Sequence, residues 1–192
     1  VARTKAFDRE AVLDKAMQVF WRQGYEATSL PDLTAAMGIG RQSLYDTFGD
    51  KHALYLAALD RYRRVGGGPL LALLERPGPV LPALRDLFAG IVDGACDGDR
   101  RGCFMVNATG ELAGRDPETT QRAEANFAAM EEAFRGAITR AQAQGEILPD
   151  RDPHALARFL FATIQGLKVT AKAANDRAVL EDVVEVTLAA LR

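Results

Sequence analysis

The residues of this chain best suited to reading another molecule are Arg41, Gln42, Ser43 and Tyr45, with Lys51 shortly after. A guanidinium and a carboxamide each form paired hydrogen bonds with guanine and adenine edges. Hydroxyls and an ammonium instead suit phosphate oxygens, which carry no sequence information. Catalytic chemistry has no comparable set. His52 and His154 have no metal-ligand spacing with each other or with the cysteines. H-E-x-x-H, G-x-S-x-G and phosphate-binding glycine loops are all missing. An enzyme is therefore not expected, nor is a metal or cofactor.

Cys96 and Cys103 are the only cysteines, too few for a disulfide framework, and point to a reducing, cytoplasmic setting. Cys103 follows the polar stretch 97–102, which includes Arg100 and Arg101, and should open a short helix. Positive charge and a helix N-terminus both stabilise a thiolate, which makes Cys103 a candidate sensor and Cys96 its resolving partner. The alternative is that both are small buried hydrophobes.

These groups must be positioned by helices, because apolar spacing is helical throughout and period-two alternation is never sustained. Leu13, Met17, Phe20 and Trp21 share one face of a first helix, capped by Asp8 and stopped by Gly24. Ser29 and Asp32 form a capping-box variant, with Pro31 in the first turn of a second helix that ends at Gly38. After the turn Gly38-Ile39-Gly40, a third helix runs from about Arg41 to Phe48, and Asp50 caps a fourth. Gly66-Gly67-Gly68-Pro69 reads as the strongest break in the chain and the end of that fourth helix. Asp116-Pro117 and Asp152-Pro153 each open a long helix, and a final helix carries Leu180, Val184, Leu188 and Leu191. The fold class is all-α.

A short helix after a glycine turn has the proportions of a helix-turn-helix, whose second helix enters a major groove. Residues 8–59 resemble the TetR/AcrR family of transcriptional repressors. The family pattern F-x-x-x-G-(Y/F)-x-x-T is met by Phe20, Gly24, Tyr25 and Thr28. The later L-Y-x-x-F-x-x-K-x-x-L is met by Leu44, Tyr45, Phe48, Lys51 and Leu54, and the intervening A-x-x-x-G is met loosely. Gly40 stands where the family often has serine, which removes one side-chain phosphate contact. The resemblance implies phosphate contacts from Thr28, Tyr45 and Lys51, and base contacts from Arg41, Gln42 and Ser43. The basic run Arg3-Thr4-Lys5 is a further candidate for phosphate or minor-groove contacts.

It also implies a helix-turn-helix domain over residues 1–50 and an effector-binding and dimerisation domain over 51–192, with 51–65 as the connecting helix. Phe88, Ile91, Phe104, Asn107, Phe127, Met130 and Phe134 are then the expected walls of an effector cavity, although an apolar stripe is also what any core helix shows. The last two helices, 155–174 and 178–192, carry more apolar surface than one face needs. Phe159, Ala162, Gly166, Val183, Val184 and Leu188 are therefore expected at a homodimer interface. The expected partners are a palindromic double-stranded operator, a small-molecule effector and a second copy of the chain, with no membrane. A net charge of −2 excludes non-specific coating of nucleic acid but not a local reading surface.

Overall fold

The computed structural model describes residues 7–97, 101–174 and 176–191. The basic run Arg3-Thr4-Lys5 and the loop residue Arg100 lie outside them. Among the described residues the chain is helical, with no strand. The order is α1 (Arg9–Gln23), α2 (Leu30–Met37), α3 (Arg41–Phe48), α4 (Lys51–Tyr62), α5 (Gly68–Glu75), α6 (Val80–Asp97), α7 (Phe104–Leu112), α8 (Pro117–Ala143), α9 (Pro153–Ala173) and α10 (Arg177–Ala189).

The helix starts follow from the local chemistry. Asp8, Asp50, Asp116, Asp152 and Asp176 each sit in extended backbone and accept a free N–H of the following turn. Ser29 and Asp32 complete a reciprocal capping box. Gly38 ends α2 in the left-handed conformation at φ 69°, which a side chain would strain.

The glycine run behaves differently from its expected role as a break. A π-helical turn over Arg63–Gly67 carries α4 directly into α5, with Tyr62, Gly67 and Gly68 all in right-handed helical conformation. Glycine costs a helix about 1 kcal/mol relative to alanine but does not forbid it. A Cβ on Gly67 would meet the Met130 side chain at 3.6 Å, an ordinary packing contact, so the helix tolerates these glycines rather than requiring them. The chain turns away only at residues 77–79, with Gly78 at φ 113°.

Two apolar clusters hold the fold. One lies among α5, α6, α8, α9 and α10, around Phe88, Phe134, Leu160 and Ile164. The other lies under the first four helices, around Phe20, Leu33, Leu44 and Tyr55. That second cluster does not end at residue 50, because Phe104, Met105, Ala108 and Leu112 of α7 and Ala123 of α8 are buried in it. Each such large side chain contributes about 1.5–3 kcal/mol on burial. Polar contacts reinforce the same junction. Arg61 of α4 bridges Glu10 and Asp14 of α1 at 2.7 and 3.0 Å, and Arg122 of α8 reaches Asp60 at 3.3 Å.

Candidate nucleic-acid interface and ligand cleft

Helix α3 is anchored from beneath and open above. Leu44 and Phe48 are buried, Ile39 packs into the angle between α2 and α3, and Leu33 and Met37 close the floor. That leaves Arg41 and Gln42 fully outward, Tyr45 at 38% exposure, and Ser43 half-buried. The Gln42 amide donates to Asp46 one turn on, at 2.8 Å, which fixes its orientation without using its carbonyl. Gly40 caps α3 with no side-chain hydrogen bond, so the first N–H groups of the helix are not claimed by a cap. Lys51 lies half-buried at the start of α4, its ammonium 4.4 Å from the centre of the Tyr25 ring.

Thr28 is not part of this outward set. It is buried, and its hydroxyl donates to the Gly24 carbonyl at 2.5 Å, so it braces the turn after α1. His52 bonds through Nε2 to Asp116 at 2.9 Å and ties the start of α4 to the start of α8. Burial pushes the Asp116 carboxyl up, but bonds from the Thr119 hydroxyl, His52 and the Glu118 N–H together hold it below its ordinary value.

The expected effector walls divide three ways. Phe88, Phe104 and Phe134 are wholly buried in the two cores. Helical periodicity identified them as inward but could not say whether inward meant filled. Phe127 and Met130 line a small hollow of about 50 Å³ against the π-helical turn, together with Tyr62 and Cys103. Ile91 instead lines a larger cleft of about 550 Å³, whose other walls include Trp21, Tyr62, Lys168 and Lys172. Asn107 borders it, donating to the Arg101 carbonyl at 2.8 Å and accepting from the Lys172 ammonium at 3.2 Å.

Cys103 is the N-cap residue of α7, as its position after the polar loop suggested, and the Tyr62 hydroxyl donates to its sulfur at 3.4 Å. Cys96 and Cys103 form no disulfide and pack on different cores, Cys96 on the C-terminal cluster and Cys103 on the N-terminal one.

The expected dimer residues also divide. Phe159, Ala162 and Gly166 form an exposed stripe on α9 that continues to Val169, and Val183 is exposed on α10. Leu188 is buried and Val184 half-buried against the chain's own core, because α10 turns that side onto α6 and α9. Their places on the outer face are taken by Val179 and Val186, the latter 69% exposed. None of the helices among the described residues is long and apolar enough to cross a membrane.

Known proteins share this arrangement. Residues 12–58 match the family described as bacterial regulatory proteins, tetR family, and residues 80–187 match the tetracyclin repressor-like C-terminal domain. The uncharacterized HTH-type transcriptional regulator YezE of Bacillus subtilis (strain 168) is 39% identical, with 100% of both chains covered. The HTH-type transcriptional repressor ComR of Escherichia coli (strain K12) is 38% identical over 99% of this chain and 90% of its own. A solved structure of the TetR family regulator CifR, a cysteine mutant complexed with 26-base-pair double-strand operator DNA, superposes with a TM-score of 0.85. It is 34% identical and covers 99% of this chain and 100% of that one. With a reading helix built on buried anchors and relatives that are regulators rather than enzymes, this chain belongs to the TetR family of DNA-binding transcriptional regulators.

Proposed function

We propose that the chain is a homodimeric repressor that sits on a palindromic operator and is released by a small organic effector. The observation that carries this reading is α3, whose exposed Arg41 and Gln42 stand on a base fixed by Leu44 and Phe48. Tyr45, Lys51 and the uncapped start of α3 supply phosphate contacts around them. The apolar stripe of α9 and α10 supports the two-fold partner that a palindrome calls for. A bound effector acts by favouring a dimer geometry whose reading heads no longer match the half-site spacing. Genome-wide mapping of bound DNA, followed by gel-shift of the recovered sites, tests the reading. Two-fold symmetric sites that shift at nanomolar protein support it, whereas sequence-independent binding refutes it.

A thiol-sensing repressor is a second reading, favoured by the Tyr62 hydroxyl on the Cys103 sulfur and by the hollow that Cys103 lines. Alkylation that releases wild type from DNA and spares Cys103→Ser supports this reading. Release that persists in Cys103→Ser leaves Cys103 as a packing residue.

A further inference from the structure

The cleft between the reading head and α9 has a composition that selects its occupant. Its apolar side is Ile91 and the ring of Tyr62, and Trp21 closes it from α1. Its polar side is cationic: Lys168 and Lys172 stand one turn apart on α9, and Arg101 lies over the Trp21 ring at 4.0 Å. No carboxylate lines it among the described residues. Lys172 has the neutral amide oxygen of Asn107 as its partner, and among the described residues no hydrogen bond or ion pair engages Lys168.

Like charges one helical turn apart repel, and the half-burial of Lys168 weakens solvent screening on its side, while Lys172 is exposed. An anion between the two ammonium groups would remove the repulsion and form charge-assisted hydrogen bonds with both. The apolar wall requires more than an inorganic ion, because Ile91 and Tyr62 offer such an ion nothing. We infer that this cleft binds a small organic carboxylate, its apolar body against Ile91, Tyr62 and Trp21 and its carboxylate between Lys168 and Lys172. The volume is in the usual range for a small-molecule site.

This inference rests on the effector-released repressor reading and gives the effector a chemical class. The cleft walls come from α1, which belongs to the reading head, and from α9, which carries the exposed apolar stripe. A ligand there touches both bodies whose relative placement sets half-site spacing. Its affinity therefore differs between the DNA-bound and free geometries, as coupling requires.

Trp21 is the only tryptophan of the chain, so its fluorescence reports on the cleft directly. The full-length protein would be titrated with hydrocinnamate and with its uncharged analogue hydrocinnamide, with operator binding followed separately by DNA fluorescence anisotropy. The expected result is a saturable Trp21 change with the carboxylate. The amide should bind at least about tenfold more weakly, as should the carboxylate to Lys168→Met or Lys172→Met, because a charge-assisted contact is lost. Methionine keeps the apolar stem, and the amide comparison on wild type needs no variant to fold. Absence of saturation up to millimolar hydrocinnamate overturns the site. Equal binding of acid and amide, or binding indifferent to both lysine substitutions, also overturns it. Saturation without any change in operator affinity upholds the site and refutes release as its consequence. Release by uncharged compounds alone upholds the repressor reading and refutes this cleft as its sensor.

Discussion

The Glu111 carboxylate of α7 accepts the backbone N–H of Tyr25 at 2.9 Å and, through its other oxygen, that of Glu26 at 2.8 Å. One side chain from the C-terminal part of the molecule thus satisfies two donors in the turn that follows α1. Gly24 makes the approach possible: it sits at φ 84°, and a Cβ there would lie 2.8 Å from the Glu111 carboxylate. The glycine and aromatic pair in the sequence pattern is therefore one half of a latch whose other half lies 86 residues away.

Breaking that latch should loosen the reading head. Glu111→Ala is expected to destabilise the protein by about 1–3 kcal/mol, since charged acceptors of backbone donors contribute on that scale. Gly24→Ala should cost at least as much, because it adds strain at positive φ to a clash. Urea unfolding read by Trp21 fluorescence checks both, and a midpoint unchanged by Glu111→Ala would dismiss the latch as decoration.

Base readout and backbone contact should separate by their salt dependence. Arg41→Ala or Gln42→Ala is expected to cost about 1–3 kcal/mol on the operator and relax preference at one base pair. Lys51→Ala should weaken all sequences alike and flatten the slope of affinity against salt. Anisotropy titrations on the operator and on single-base variants decide the matter. An unchanged base preference in Arg41→Ala would remove that residue from the readout.

The dimer stripe predicts a sharp response to charge. Phe159→Glu or Val183→Glu places a carboxylate on an exposed apolar face and should yield a folded monomer. Leu188→Glu, in the chain's own core, should instead lose the fold. Sedimentation with circular dichroism distinguishes these outcomes. A wild type that is already monomeric at micromolar concentration would end the proposal.

The Asp116 contact has a definite sign in pH. Its carboxyl titrates below the ordinary value of 3.8 in the folded chain, so it contributes stability that is complete above that value. That contribution is lost as pH falls through the depressed folded value. Asp116→Asn keeps a capping acceptor but not the charge. Its urea midpoint should therefore lie below wild type at neutral pH and converge with it in strong acid. A constant gap across that range would contradict the assignment.

The reading helix was legible because every determinant is local: a cap, a glycine turn and two buried anchors fall within twenty residues. The glycine run misled for the same reason. Local preference marks Gly66, Gly67 and Gly68 as a break, while α4 and α5, packed into the two cores on either side of the run, hold it in helical conformation. Phe88 and Phe134 were rightly placed inward, yet periodicity cannot separate a filled core from a lined cavity. The cleft itself had no sequence signature, because Trp21 and Lys172 come to line one cleft only through the packing of four helices. Glu111 has no local sequence sign of its role, and only the fold shows it capping another segment.

The apolar cluster that continues from α1 and α4 into α7 bears on how such regulators can be recombined. A chimera cut between Gly49 and Asp50 would separate Phe20 and Leu44 from Tyr55, Phe104 and Met105, exposing greasy surface on both fragments. The DNA-reading portion is consequently not a portable cassette. Grafting a foreign operator preference onto this chain calls for exchanging the outward residues of α3 alone, leaving its anchors in place. A wholesale swap succeeds only when α7 and the start of α8 travel with it.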